Sequence, residues 1–154
     1  MKNKLDDFYI YPFEPSYVDG VKEIENEQNI SILSKKSILE DLDDENCKYF
    51  IATLDEKLVG YIGACYCLDY MDLLSIVVKK DYQNMGIGSK LLNHIFAFAK
   101  DNKIEKIFIE VRKSNEIAQK FYLSHGFKNI NIRKKYYSDN FEDALIYEKD
   151  MKKI

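Results

Sequence analysis

No segment of this 154-residue chain approaches the roughly 20 apolar residues that a helix needs to cross a bilayer. The N-terminal MKNKLDDFYI also lacks the long apolar core of a signal peptide. Together these absences predict a cytoplasmic protein with no membrane partner. Excess charge of one sign is missing too. Against 23 Lys and Arg stand 26 Asp and Glu, a formal net charge of −3, so there is no basic stripe of the kind that duplex nucleic acid requires. The mild acidity suits a basic substrate better. Cysteine is scarce and odd in number: Cys47, Cys65 and Cys67. Cys65 and Cys67 would share one face of a strand, but no His or further Cys lies nearby to complete a zinc site. The expectation is therefore free, buried or half-buried thiols and no bound metal. Internal repeats, low-complexity tracts and linkers are absent.

What remains is a chain with 46% hydrophobic and 32% charged residues in alternating runs, read as one globular domain over residues 1–154. FYIYPF, Phe8 to Phe13, alternates in β-prone residues and predicts a first strand. Val18, Val21 and Ile24 fall at helical spacing from Ser16 to about Asn29, with Ser16 as the cap. A shorter helix begins near Ser37 and runs through Ile38 and Leu42. KYFIATL and KLVGYIGACYCL read as two strands of a hairpin turning at Asp55-Glu56. MDLLSIVV adds a third run, ending at Val78. Ile87, Leu91, Leu92, Ile95, Phe96 and Ala99 then recur at helical period over about four turns, a face that would cover a sheet. KIFIEV is another strand, SNEIAQKFYLSHGF a helix capped by Ser114 or Asn115 and closed by Gly126, and NINIRKKYY and DALIYEKDM the last β segments. Grouped strands followed by alternating strands and helices predict an α/β fold with a mixed central sheet.

The stretch DYQNMGIGSKLL, Asp81 to Leu92, places two glycines between a strand and an amphipathic helix. Glycine permits positive φ and close backbone approach, and the free N–H groups of a helix's first turn attract phosphate, so Gln83 to Ser89 could present several amides to a pyrophosphate. By itself the pattern serves equally as a tight turn into a helix. A Walker A loop needs GxxxxGK followed by Ser or Thr, which the chain does not contain. The dinucleotide fingerprint GxGxxG would start at Gly86 and Gly88 but meets Leu91 at its third glycine.

What is left is Gln-x-x-Gly-x-Gly. LSIVVKKDYQNMGIGSKLL, Leu74 to Leu92, resembles the acetyl-CoA-binding motif of the GNAT N-acetyltransferases. The downstream IFIEVRKSNEIAQKFYLSHGF and IRKKYYSDNFEDALIYEKDM are similar to the RimI type of GNAT enzyme, the ribosomal-protein alanine N-acetyltransferases. The match is close from about Ser75 to Met151. Before that only the order of elements agrees, and the family's Trp-Ser stretch is missing because the chain has no tryptophan. The resemblance implies a mixed, mostly antiparallel central sheet flanked by helices on both faces, with acetyl-CoA as co-substrate. It implies that Ile76, Val77 and Val78 contact the pantetheine arm and that Asn84, Met85, Gly86, Ile87, Gly88 and Ser89 hold the pyrophosphate. It further implies Glu110 as general base, Tyr122 as general acid, Asn115 as a cofactor contact, and Tyr136, Tyr137, Glu142 and Asp143 as substrate contacts. The partner it implies is a basic protein N-terminus, that of a ribosomal protein.

Acyl-transfer chemistry supports these residue types. An amine must be neutral to attack a thioester, and the departing thiolate is helped by a proton, so a carboxylate and a phenol serve the two ends. Near neutral pH on the order of a tenth of α-amino groups are uncharged, against fewer than about one in a thousand lysines, which favours an N-terminal amine. Read without the resemblance, Glu110 is equally a surface residue of a strand, Tyr122 a core aromatic, Asn115 a helix cap, and the tail residues a polar loop. His94 and His125 have no nucleophile or ligand partner at useful spacing and read as structural. Three functions stay open: an Nα-acetyltransferase, a GNAT enzyme for a small amine or an internal lysine, and a non-catalytic acyl-CoA-binding module.

Overall fold

In the computed structural model residues 6–152 are described; the N-terminal reading bears partly on residues 1–5, which lie outside them. The first strand, β1 (Phe8–Pro12), is followed by a 3₁₀ turn at Pro15–Tyr17 and helix α1 (Val18–Glu27). Ser16 does not cap α1. The 3₁₀ turn runs directly into the helix through Tyr17, which makes no side-chain cap bond. Helix α2 (Lys35–Leu42) starts two residues before Ser37, because Ser34 is its cap and accepts a hydrogen bond from the Ser37 N–H.

Strands β2 (Cys47–Leu54) and β3 (Lys57–Cys67) form the expected hairpin. Asp55 and Glu56 both have positive φ, 51° and 65°, as a two-residue turn requires if its twist is to match that of the strands. Pairing runs Leu54 with Lys57 and Thr53 with Leu58, then slips at a bulge so that Ala52 meets Gly60 and Cys47 meets Cys65. Cys47 and Cys65 are joined as a disulfide, which corrects the expectation of free thiols for these two; Cys67 is free and exposed. Asp41 lies close enough to form a three-residue group with the pair, but both sulfurs are taken up in the disulfide.

Strand β4 (Tyr70–Val78), helix α3 (Ile87–Asp101), strand β5 (Lys106–Arg112), helix α4 (Glu116–Ser124), and strands β6 (Lys128–Arg133) and β7 (Ala144–Asp150) complete the chain. The seven strands lie in one sheet in the order β1-β2-β3-β4-β5-β7-β6, and among the described pairs only β4 and β5 are parallel. That parallel register is short: Tyr70 with Lys106, Met71 with Ile107 and Asp72 with Phe108.

The chain divides into two compact units, with β4 contributing to each. The first takes the residues up to Cys65 together with Leu74–Phe98. In its core Phe13 stands edge-on to Tyr17, Tyr49 and Tyr61, with Val21 and Ile38 fully buried beside them. Helix α3 buries Ile87, Leu91, Leu92 and Ile95, each contributing about 1.5–3 kcal/mol by its removal from water. Gly60 permits the approach of β4, since a Cβ there would stand 2.7 Å from the Val77 carbonyl oxygen. The second unit takes Tyr66–Leu73 with the residues from Ala99 onward.

Candidate active site

The glycine turn belongs to the first unit. A 3₁₀ turn over Lys80–Tyr82 delivers the chain from β4 to Gln83. The Gln83 amide is spent on the Lys80 carbonyl, at 3.3 Å, so it is not one of the free donors expected there. Its side chain has a different task. Gln83 Nε2 donates to the Val78 carbonyl (3.0 Å) and to Gln28 Oε1 (2.8 Å), while Gln28 Nε2 also donates to Val78 (2.9 Å). Two side-chain amides thus tie the turn to the end of β4. Sequence reading did not reveal this role, because Gln28 lies 55 residues from Gln83.

Beyond Gln83 the backbone coils into a concave run. Asn84 has φ of 62° and Gly86 of 86°, both left-handed, and α3 starts at Ile87. The first amide bonded back into the helix is that of Lys90, to the Gly86 carbonyl at 3.0 Å. Among the described residues the amides of Asn84, Met85, Gly86, Ile87 and Gly88 have no acceptor. Successive free N–H groups at the positive end of a helix dipole form an anion cradle, and each bond to a charged oxygen contributes about 1.5–3 kcal/mol. Space is open at Gly86, where a Cβ would meet nothing within 4 Å. Ser89 is half-buried in the first turn of α3. Along β4, Val77 is buried while Ile76 and Val78 are half-buried.

The other expected residues lie in the second unit. Glu110 sits on β5 on the same face as Phe108, with its side chain 37% exposed. Its Oε1 is 3.1 Å from Arg133 Nη1, on β6. Tyr136 stands close to Glu110, and the carboxylate beside it holds the Tyr136 phenol above its ordinary pKa. Asp72, on β4, is close enough to feel both neighbours: burial and the Glu110 charge raise its carboxyl, while Arg133 lowers it. Neither Asp72 nor Arg133 stood out in the sequence. The only available signal was the alternation of MDLLSIVV, which turns Asp72 outward.

Tyr122, on α4, is buried, with its ring 5.4 Å from that of Phe127 and 5.3 Å from that of Phe121. Burial alone pushes its phenol well above the ordinary value, and its hydroxyl has no hydrogen-bond partner among the described residues. Asn115 caps α4, its Oδ1 accepting from the Ala118 N–H at 3.1 Å, and its NH₂ remains for a ligand. Glu142 and Asp143 have their oxygens engaged within the loop before β7. Glu142 accepts from the Ser114 N–H (2.6 Å) and from Arg112 (3.2 Å), and hydrogen bonds from Ser114 hold its carboxyl down at about 2. Asp143 accepts from the Lys135 N–H and from Lys134. Arg112 also lies 3.9 Å from the Tyr137 ring and bonds Asp139, clasping the loop. His94 stacks edge-on against Phe50 in the first unit, and His125 Nδ1 lies 2.8 Å from the Phe121 carbonyl.

An anion cradle at Asn84–Gly88, a carboxylate facing solvent and a neutral phenol are the parts that acyl transfer from a pyrophosphate-bearing thioester to an amine requires. Comparison with known proteins identifies the family. The profile of the acetyltransferase (GNAT) family matches residues 15–127. A protein of Bacillus subtilis (strain 168), provisionally named a ribosomal protein bS18-alanine N-acetyltransferase, is 33% identical over 130 residues, covering 84% of this chain and 86% of that protein. The ribosomal protein bS18-alanine N-acetyltransferase of Escherichia coli (strain K12) is 35% identical over 99 residues, covering 63% of this chain and 67% of the relative. The crystal structure of the ribosomal-protein-S18-alanine N-acetyltransferase from Escherichia coli superposes with a TM-score of 0.85 at 29% identity, covering 94% of each chain. The chain belongs to the acetyltransferase (GNAT) family and is an N-acetyltransferase that takes acetyl-CoA as its co-substrate.

Proposed function

We infer that the chain is an Nα-acetyltransferase of the RimI type, which transfers the acetyl group of acetyl-CoA to a protein N-terminal amine, the N-terminal alanine of a small-subunit ribosomal protein. The observation that carries this reading is Glu110: a solvent-facing carboxylate held by Arg133 beside Tyr136, in a chain similar to enzymes named for alanine N-acetylation. In this reading the amides of Asn84–Ser89 hold the pyrophosphate, Ile76–Val78 line the pantetheine arm, and the Asn115 NH₂ gives a further cofactor contact. Glu110 takes the proton of the α-ammonium through a water. The amine attacks the thioester carbonyl, and Tyr122 protonates the departing sulfur. Tyr136 lies beside the acceptor, and Tyr137, Glu142 and Asp143 shape the loop that carries it.

The profile match spans residues of both units, which supports reading 1–154 as one N-acetyltransferase domain. A ribosomal acceptor places the enzyme in the cytoplasm.

The test is incubation with acetyl-CoA and a panel of ribosomal-protein N-terminal peptides, polyamines and internal-lysine peptides, read by mass spectrometry. The reading expects acetylation at the α-amine of alanine-initiated peptides and its loss in Glu110→Gln with acetyl-CoA binding intact. Acetylation confined to polyamines or internal lysines would overturn the acceptor. Saturable acetyl-CoA binding with no CoA released by any amine would overturn catalysis.

A further inference from the structure

The amides that form the cradle do not hold it in place. From Asn84 to Gly88 none has an acceptor among the described residues, and the first bond back into α3 is that of Lys90 to the Gly86 carbonyl. The cradle is therefore placed from its two ends, by α3 after it and by the connection from β4 before it. That connection is pinned at its start, where the Lys79 amide donates to the Val59 carbonyl of β3 at 2.7 Å. At its other end the Gln83 backbone reaches only Lys80, within the same turn, so the fixed point next to the cradle is the Gln83 side chain on the Val78 carbonyl.

Gln83 is exposed, and a long exposed side chain with a single hydrogen bond keeps much of its rotamer freedom. Gln28 removes that freedom. It is the half-buried C-terminal cap of α1, and its carboxamide is used at both ends: Oε1 accepts from Gln83 Nε2 at 2.8 Å, and Nε2 donates to the Val78 carbonyl at 2.9 Å. Turned over, the amide would set oxygen against oxygen at Val78 and nitrogen against nitrogen at Gln83, so only one orientation satisfies the network. An ionised carboxylate in its place has no hydrogen to give Val78. The apolar face of α1 is buried through Val18, Val21 and Ile24, so the helix does not depend on Gln28 for its packing. We propose that Gln28 is a positioning residue for acetyl-CoA: from the end of α1 it fixes Gln83, and through Gln83 the entry to the cradle. This rests on the reading of Asn84–Ser89 as the pyrophosphate site and deepens it. Gln28 touches no reacting atom, so its loss falls on cofactor affinity and not on turnover.

The experiment is a double-mutant cycle of wild type, Gln28→Met, Gln83→Met and the double variant, titrated with acetyl-CoA by calorimetry beside thermal unfolding of each. Methionine keeps the length and removes the bonds. Each single change is expected to weaken acetyl-CoA about three- to tenfold, with Tm lowered by no more than a few degrees. The double variant should be little weaker than the worse single one, because the link is already cut. In turnover with an alanine-initiated peptide the KM for acetyl-CoA rises by the same factor, and kcat stays within about twofold of wild type. Wild-type affinity in Gln28→Met would overturn the proposal, as would losses that multiply in the double variant or a fall in Tm on the scale of a core deletion. Gly86→Ala separates this proposal from the reading beneath it. If Gly86→Ala weakens acetyl-CoA and Gln28→Met does not, the cradle stands and the proposal fails; if both bind as wild type, the cradle fails with it.

Discussion

Replacing Tyr122 with phenylalanine separates its packing from its proposed chemistry. The side chain is 4% exposed and packs against Phe121 and Phe127, while its hydroxyl has no hydrogen-bond partner among the described residues. Removing that hydroxyl breaks no protein hydrogen bond and leaves the ring in place, so the folded state should change by less than about 0.5 kcal/mol. Tyr122→Ala, by contrast, opens a cavity costing about 3–5 kcal/mol, which lowers Tm by on the order of 10 °C for a chain of this size. If the phenol donates the proton to the thiolate, Tyr122→Phe should lose about 10²–10⁴ in kcat with acetyl-CoA binding retained. The direction of the pKa shift agrees: burial raises the phenol, so it stays protonated throughout the range in which an α-amine is deprotonated. The assay is thiol release against time, alongside thermal unfolding of the three proteins. A Tyr122→Phe enzyme that turns over within twofold of wild type would refute the acid assignment, and a Tm as low as that of the alanine variant would refute the packing account.

Two further outcomes follow from the turn and the loop. Gly86→Ala places a Cβ in open space but at φ of 86°, so strain of about 1–2 kcal/mol acts on the turn alone. Acetyl-CoA should bind at least several-fold more weakly, with Tm down by only a few degrees; unchanged affinity by calorimetry would argue against the cradle. Glu142, held at about 2 from an ordinary 4.5, stabilises the fold above its unfolded pKa, and that stability is lost as pH falls from about 4.5 towards 2. In Glu142→Gln the acid-unfolding curve should diverge from wild type above pH 4.5 and converge near pH 2, and superimposable curves would dismiss the clasp.

Strong local patterns carried most of the elements. The helical period of Ile87, Leu91, Leu92 and Ile95 located α3, and Asp55-Glu56 located the hairpin, because each is a matter of neighbouring residues. The disulfide was not legible for a specific reason. From a two-residue turn without a bulge, Cys47 would face Ala64, and only the slip between Ala52 and Thr53 turns it to Cys65. Gln83 was read as an amide donor, although its side chain anchors the turn, because the partner that reveals this task lies in α1's C-terminal cap.

The sequence by itself determined the motif that marks the family, the strand-turn-helix around Gly86, and the residue types suited to acyl transfer, since these depend on short spacings and intrinsic backbone preferences. Tertiary structure alone decided the company of Glu110. Asp72, Glu110 and Arg133 are spread over 62 positions of sequence, and the order β4-β5-β7-β6 brings three strands of one sheet to a single charged cluster. Charge interacts through space rather than along the chain, so which ions sit together, and what net charge they leave for a ligand, is settled only by strand order and register.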